Sequence, residues 1–90
     1  MFVHLGNDVM ADIKNIIGVF DIEKITASKT TRNFLSAAGK LGRVVYCSYE
    51  MPKSFIVCLD ENLTETVYIS QLAPATICKR IRNITIGKFD

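Results

Sequence analysis

From Val44 to Ser70 the chain passes three times through a run of strand formers and twice through a short polar turn. That rhythm limits the fold more than any other feature of its 90 residues. Val44–Tyr49 is rich in β-branched and aromatic residues, and Glu50-Met51-Pro52-Lys53 breaks it. Ser54–Leu59 reads as a buried strand, Asp60-Glu61-Asn62 turns the chain, and Thr66–Ser70 brings it back. Three strands joined by short polar turns predict an antiparallel meander. The first third is also strand-like. Phe2–Leu5 alternates, Gly6-Asn7-Asp8 is a turn signal, and Val9–Ile13 is a second strand punctuated by Lys14-Asn15. Ile16–Ile22 is a β-branched run too apolar for an exposed strand, and its Gly18 marks close approach of another backbone.

Two segments have helical signals. Thr26–Thr31 is a polar break in which Ser28 can act as an N-cap, and the helix it starts runs to about Leu41. Gly42 suits the C′ position. Gly39, inside that helix, costs roughly 1 kcal/mol against Ala and suits a place where something packs closely. Pro74 suits the first position of a second helix that continues to Arg82, with Ile77 and Ile81 on one face and Lys79, Arg80 and Arg82 off it. The expected architecture is α+β: one small β-rich domain over residues 1–90, with about six mostly antiparallel strands and two helices.

A domain of this size buries only about 60–65 % of its unfolded surface, so its own core is thin. Yet 49 % of the residues are hydrophobic. The surplus predicts burial between subunits, hence self-association. No targeting segment and no apolar run long enough to span a bilayer is visible, which predicts a cytoplasmic protein. Cys47, Cys58 and Cys78 are odd in number and form no C-x-x-C pair, so reduced, packed thiols are expected. Three dispersed cysteines and the distant His4 lack zinc-ligand spacing. Neither a nucleophile motif near His4 nor a glycine-rich phosphate loop exists, and Asp8 and Asp12 lie in strand-like sequence. These readings point away from an enzyme, a metal or a cofactor.

Charge is sorted along the chain. Residues 1–23, 24–43, 44–78 and 79–90 carry −3, +5, −3 and +3, within a net charge of +2. At about 100° per residue, Lys29, Arg32, Ser36, Lys40 and Arg43 form one helical stripe, while Phe34, Leu35, Ala38 and Leu41 lie opposite. Gly42 ends the helix, so Arg43 can leave the stripe. A basic outer face is most often a solvated surface, but it also suits phosphate contacts, which give affinity without reading sequence. Tyr46, Tyr49, Phe55 and Tyr68 can be read as a stacking platform for single strands, yet their β-branched neighbours favour core packing. No helix-turn-helix, zinc finger or RNA-recognition motif is present.

These segments resemble the RemA/RemB family of small bacterial extracellular matrix regulators. The resemblance is carried by Phe2-Val3-His4-Leu5-Gly6, Ile16–Asp21, Lys29-Thr30-Thr31-Arg32-Asn33-Phe34-Leu35, Pro52–Val57, and Val67–Leu72 through Thr76 and Lys79-Arg80. Their order and spacing cover most of residues 2–82, and the Pro-Lys-Ser-Phe turn and the ending point to the RemB-like branch. The resemblance implies a cytosolic regulator of biofilm matrix genes that binds DNA through basic residues along a ring of identical subunits. The RemA-like branch has adjacent arginines in the turn between its central strands, where this chain has Glu50-Met51-Pro52-Lys53. Another family arginine falls on Asn15, beside Lys14, and the helix arginine is matched by Arg32.

The expectation is therefore a homo-oligomeric, DNA-binding transcriptional regulator. Its duplex DNA contacts would be Lys14, Lys29, Arg32 and Lys53, with Lys79, Arg80 and Arg82 secondary. Its partners would be duplex DNA and itself, without a membrane or a small-molecule substrate. The alternative is a non-enzymatic oligomeric module that binds another regulator.

Overall fold

A computed structural model describes residues 1–22 and 29–87. Strands β1 (Phe2–Gly6) and β2 (Val9–Asp12) form an antiparallel hairpin. Its turn holds Gly6 and Asn7 at φ 140° and 46°, in the region glycine and asparagine tolerate best. The second strand stops at Asp12 rather than Ile13. Asp12 accepts a hydrogen bond from the Lys14 amide (3.2 Å) and so caps a 3-10 turn over Ile13–Asn15. Strand β3 (Ile16–Asp21), helix α1 (Lys29–Lys40), strands β4 (Val44–Tyr46), β5 (Ser54–Leu59) and β6 (Glu65–Ser70), and helix α2 (Pro74–Gly87) complete the chain. Among the described residues six strands and two helices make a small α+β domain, as the sequence predicts. The expected N-cap, Ser28, and the tail Lys88–Asp90 lie outside the described residues.

The larger sheet has the order β3-β5-β6-β4, and this corrects the meander. β5 and β6 are a hairpin closed by Asp60, whose carboxylate accepts from the amides of Asn62 and Thr64, each at 2.9 Å. β3 takes the other edge of β5, antiparallel. No edge of β5 remains for β4, so β4 joins the outer edge of β6 and runs parallel to it, with Val44 opposite Val67 and Tyr46 opposite Ile69. The segment Glu50–Lys53 is thus part of a crossing connection, not a hairpin turn.

Side chains alternate along a strand, and β5 is buried on both faces. Ile56 and Cys58 face one core with Val3 and Leu5 of β1, Ala11 of β2, Cys47 and Ile77. Phe55 and Val57 face a second core with Val67, Ile69 and Ala38 of α1. The domain is therefore three layers: α1, the four-stranded sheet, and a layer of the β1–β2 hairpin with α2. Two buried serines stitch the last two together. Ser70 Oγ donates to the Leu5 carbonyl, and Ser54 Oγ donates to the Leu72 carbonyl at 2.8 Å.

The start of α2 and the end of α1 follow local chemistry. Pro74 opens α2. Gly42, at φ 71°, ends α1 in a Schellman arrangement, in which its amide reaches the Gly39 carbonyl and the Arg43 amide the Ala38 carbonyl. Arg43 consequently leaves the helical stripe. Three expectations about packing change. Leu41 is 64 % exposed instead of facing the core. Gly39 has open space, with nothing within 4 Å of where a Cβ would stand. Gly18 sits at a bulge between β3 and β5, and the space beside it is filled by the Phe20 ring instead of a backbone. That ring stacks on Phe55 with centroids 5.0 Å apart.

Candidate nucleic-acid interface

The basic residues marked by the sequence do not converge on one surface of a single protomer. Lys29 and Arg32 lie exposed on the first turns of α1. Lys53 is exposed just before β5, and its backbone is held on both sides. Its amide donates to the Ser70 carbonyl, and its carbonyl accepts from the Ile22 amide where β3 leaves for α1. Lys53 therefore stands at the end of the sheet from which the chain runs towards α1. Lys14 stands at the other end, because Ile16 pairs with Cys58 while Asp21 pairs with Ser54. Four residue steps along β5 separate those levels, about 13 Å at the usual strand rise. The Lys14 ammonium is also 3.7 Å from the Asp12 carboxylate, which offsets its charge.

Lys79, Arg80 and Arg82 are exposed on α2. α2 packs on the first core through Ile77, Ile81 and Ile84, whereas α1 packs on the second. The two sets of bases thus lie on opposite faces of the sheet. Arg80 is also committed locally: its Nη1 donates to the His4 carbonyl at 3.3 Å, tying α2 to β1. The bases of α1 and α2 can meet one polyanion only if it wraps the domain or if several subunits line up.

The aromatic residues divide. Phe55 is buried and Tyr68 half-buried, as core packing requires. Tyr46 (67 % exposed) and Tyr49 (fully exposed) are not in the core, because β4 forms the outer edge of the sheet and the chain then leaves it. The thiols divide too. Cys47 and Cys58 are buried, and loss of hydration pushes both up to about 11, so neither is a ready thiolate at neutral pH. Burial also raises the Tyr68 hydroxyl, and the two neighbouring thiols add to this. Cys78 was expected to be packed and is exposed. It follows Ile77 by one residue, about 100° around α2 and off the buried face.

Among the described residues no cluster of His, Cys, Asp or Glu is placed to hold a metal ion. No described helix is long and apolar enough to cross a membrane. One feature escaped sequence reasoning altogether. Phe2, Asn7, Gln71, Arg80 and Asn83 line an open cleft of about 650 Å³ between β1 and α2. They come from the two ends of the chain, and no motif spacing links them.

The described residues form a small three-layer α+β domain with bases exposed on two opposite faces of the sheet. No family profile matches the chain. A curated Bacillus subtilis protein, extracellular matrix regulatory protein B, is 31 % identical over 80 residues, 89 % of each chain. The chain belongs to that protein's family, the small matrix regulators of RemA/RemB type.

Proposed function

We propose that this protein is a cytosolic, homo-oligomeric DNA-binding regulator of extracellular matrix genes. The observation that carries the reading is the exposed basic set Lys29, Arg32 and Lys53 in a chain whose relative is named a matrix regulatory protein. Such residues neutralise phosphates without reading bases. Self-association is supported by the two outer strands of the sheet. Val45 and Tyr46 of β4 are exposed, with Tyr49 and Met51 just beyond, and at the far edge Ile17 and Phe20 of β3 are exposed. Two different apolar edges suit head-to-tail contact, which closes into a ring when the rotation allows. A ring aligns one set of bases from every subunit, and many weak contacts add by avidity.

A gel shift at low salt, on a duplex of several helical turns, tests the reading together with sedimentation velocity. Retention of DNA by a species of at least four subunits is expected. The Arg32→Ala/Lys53→Ala variant should bind more weakly on every sequence and with a flatter salt dependence. No retention at micromolar protein, or unchanged binding by that variant, would replace this reading. A second reading, docking onto another regulator, is favoured by the connection before β5. Tyr49 and Met51 are exposed there beside the single base Lys53, which suits a protein surface better than a phosphate backbone.

A further inference from the structure

The cleft between β1 and α2 has a chemistry of its own. Of its ten lining residues none is acidic and Arg80 is basic, so its charged side chains favour an anion. Arg80 borders it with its guanidinium already positioned by the His4 carbonyl. Three carboxamides, from Asn7, Gln71 and Asn83, surround the space, and each offers both a donor and an acceptor. Phe2 is 57 % exposed and supplies an aromatic surface at the rim. The Gln71 amide rests against Gly6, where a Cβ would lie only 2.5 Å from Oε1. That Oε1 is the one buried side-chain polar atom left without a hydrogen bond among the described residues. Buried acceptors are normally paired, so this packed oxygen is a cost the fold carries beside the cleft.

We propose that this cleft binds a nucleoside 5′-phosphate, either free or at the end of a strand. Arg80 takes the phosphate, the amides of Asn7, Gln71 and Asn83 meet the donor and acceptor pattern of the base edge, and Phe2 offers a stacking face. Nucleobase edges present donors and acceptors side by side, and every base has a π-face for an aromatic ring. The volume lies within the range of small-molecule sites. The sequence predicts no small-molecule partner, because the lining residues meet only in the folded chain. This site is separate from duplex binding through α1 and Lys53, and the two can fail independently.

The experiment is titration of the isotope-labelled full chain by NMR with adenosine monophosphate, with inorganic phosphate, and with a 5′-phosphorylated pentanucleotide. Adenosine monophosphate should give saturable shifts at Phe2, Asn7, Gln71 and Asn83, whereas phosphate alone should move only the surroundings of Arg80. Arg80→Ala and Asn83→Leu should each weaken nucleotide binding about tenfold, one to two hydrogen bonds' worth. Asn83→Leu should leave duplex retention intact. A pentanucleotide bound more tightly than the mononucleotide assigns the site to strand ends, and equal binding assigns it to free nucleotides. Absence of saturable shifts with both nucleotides up to about 10 mM, or undiminished binding by both variants, overturns the proposal.

Discussion

The two faces of the sheet are built differently. On one side α2 inserts Ile77, Ile81 and Ile84 into a core shared with the β1–β2 hairpin, and hydrogen bonds from Ser54, Ser70 and Arg80 bind those parts together. On the other side α1 rests on the sheet through Ala38, Phe34 and Leu35, while Gly39 and Leu41 stay open. A groove there is lined by Leu35, Val44, Tyr46 and Pro52. The α2 face carries a core joined by hydrogen bonds, with a polar cleft at its edge, whereas the α1 face retains an apolar groove. Stability should therefore reside mainly on the α2 face, and the α1 face should tolerate change.

The sharpest way to break this contrast is a matched pair of truncations. Ile77→Ala removes a fully buried side chain and should cost about 2–5 kcal/mol. Leu35→Ala removes a half-buried one and should cost clearly less, about 1–2 kcal/mol from the smaller area restored to water. Urea unfolding of both variants decides, and equal losses would put the two faces on a par. Next comes Ser70→Ala, which leaves the Leu5 carbonyl without its donor and should cost about 1–3 kcal/mol in the same assay.

Two glycines, one on each face, should respond to alanine in opposite directions. Gly6→Ala on the α2 face places a Cβ against Gln71 at φ 140° and should destabilise by more than about 1 kcal/mol. Gly39→Ala on the α1 face meets open space within a helix and should stabilise by about 0.5–1 kcal/mol, read as a rise in Tm. A fall in Tm for Gly39→Ala would mean that this face is covered in solution, as a subunit contact would do.

Alkaline pH should act through the α2 face, where both buried thiols lie. Their folded-state pKa, about 11, is above the usual 9.0, so the folded chain holds protons that the unfolded chain releases. The stabilisation is present below pH 9 and is lost as pH rises from 9 to 11. Denaturation midpoints at pH 8 and 10.5 should show this fall, and it should shrink in Cys47→Ala/Cys58→Ala. At neutral pH a thiol reagent should label the exposed Cys78 quickly and the other two slowly, since burial both shields Cys47 and Cys58 and keeps them protonated.

Much of this molecule is legible along the chain. The strand identities of 54–59 and 65–70, the opening of α2 at Pro74 and the closing of α1 at Gly42 rest on interactions within a few residues. Those are the β-propensity of a branched run, the missing amide of proline and the left-handed φ of glycine. The charge blocks that mark the basic segments are equally a property of the sequence. The basic residues can be read off the chain, but their separation between the two helix faces and the two ends of the sheet cannot.

The tertiary structure alone decided which neighbour each strand and each side chain would have. β4 pairs with β6, not β5, because β3 and β6 had already taken both edges of the central strand. Cys78 is exposed because it lies off the buried face of α2, and Leu41 because it falls in the cap where α1 ends. The cleft joins Phe2 and Asn7 to Gln71, Arg80 and Asn83 across more than sixty residues. Periodicity and capping are local and can be read from order alone. Edge pairing and concavity follow from competition between distant segments for the same surface, so they exist only once the chain has folded.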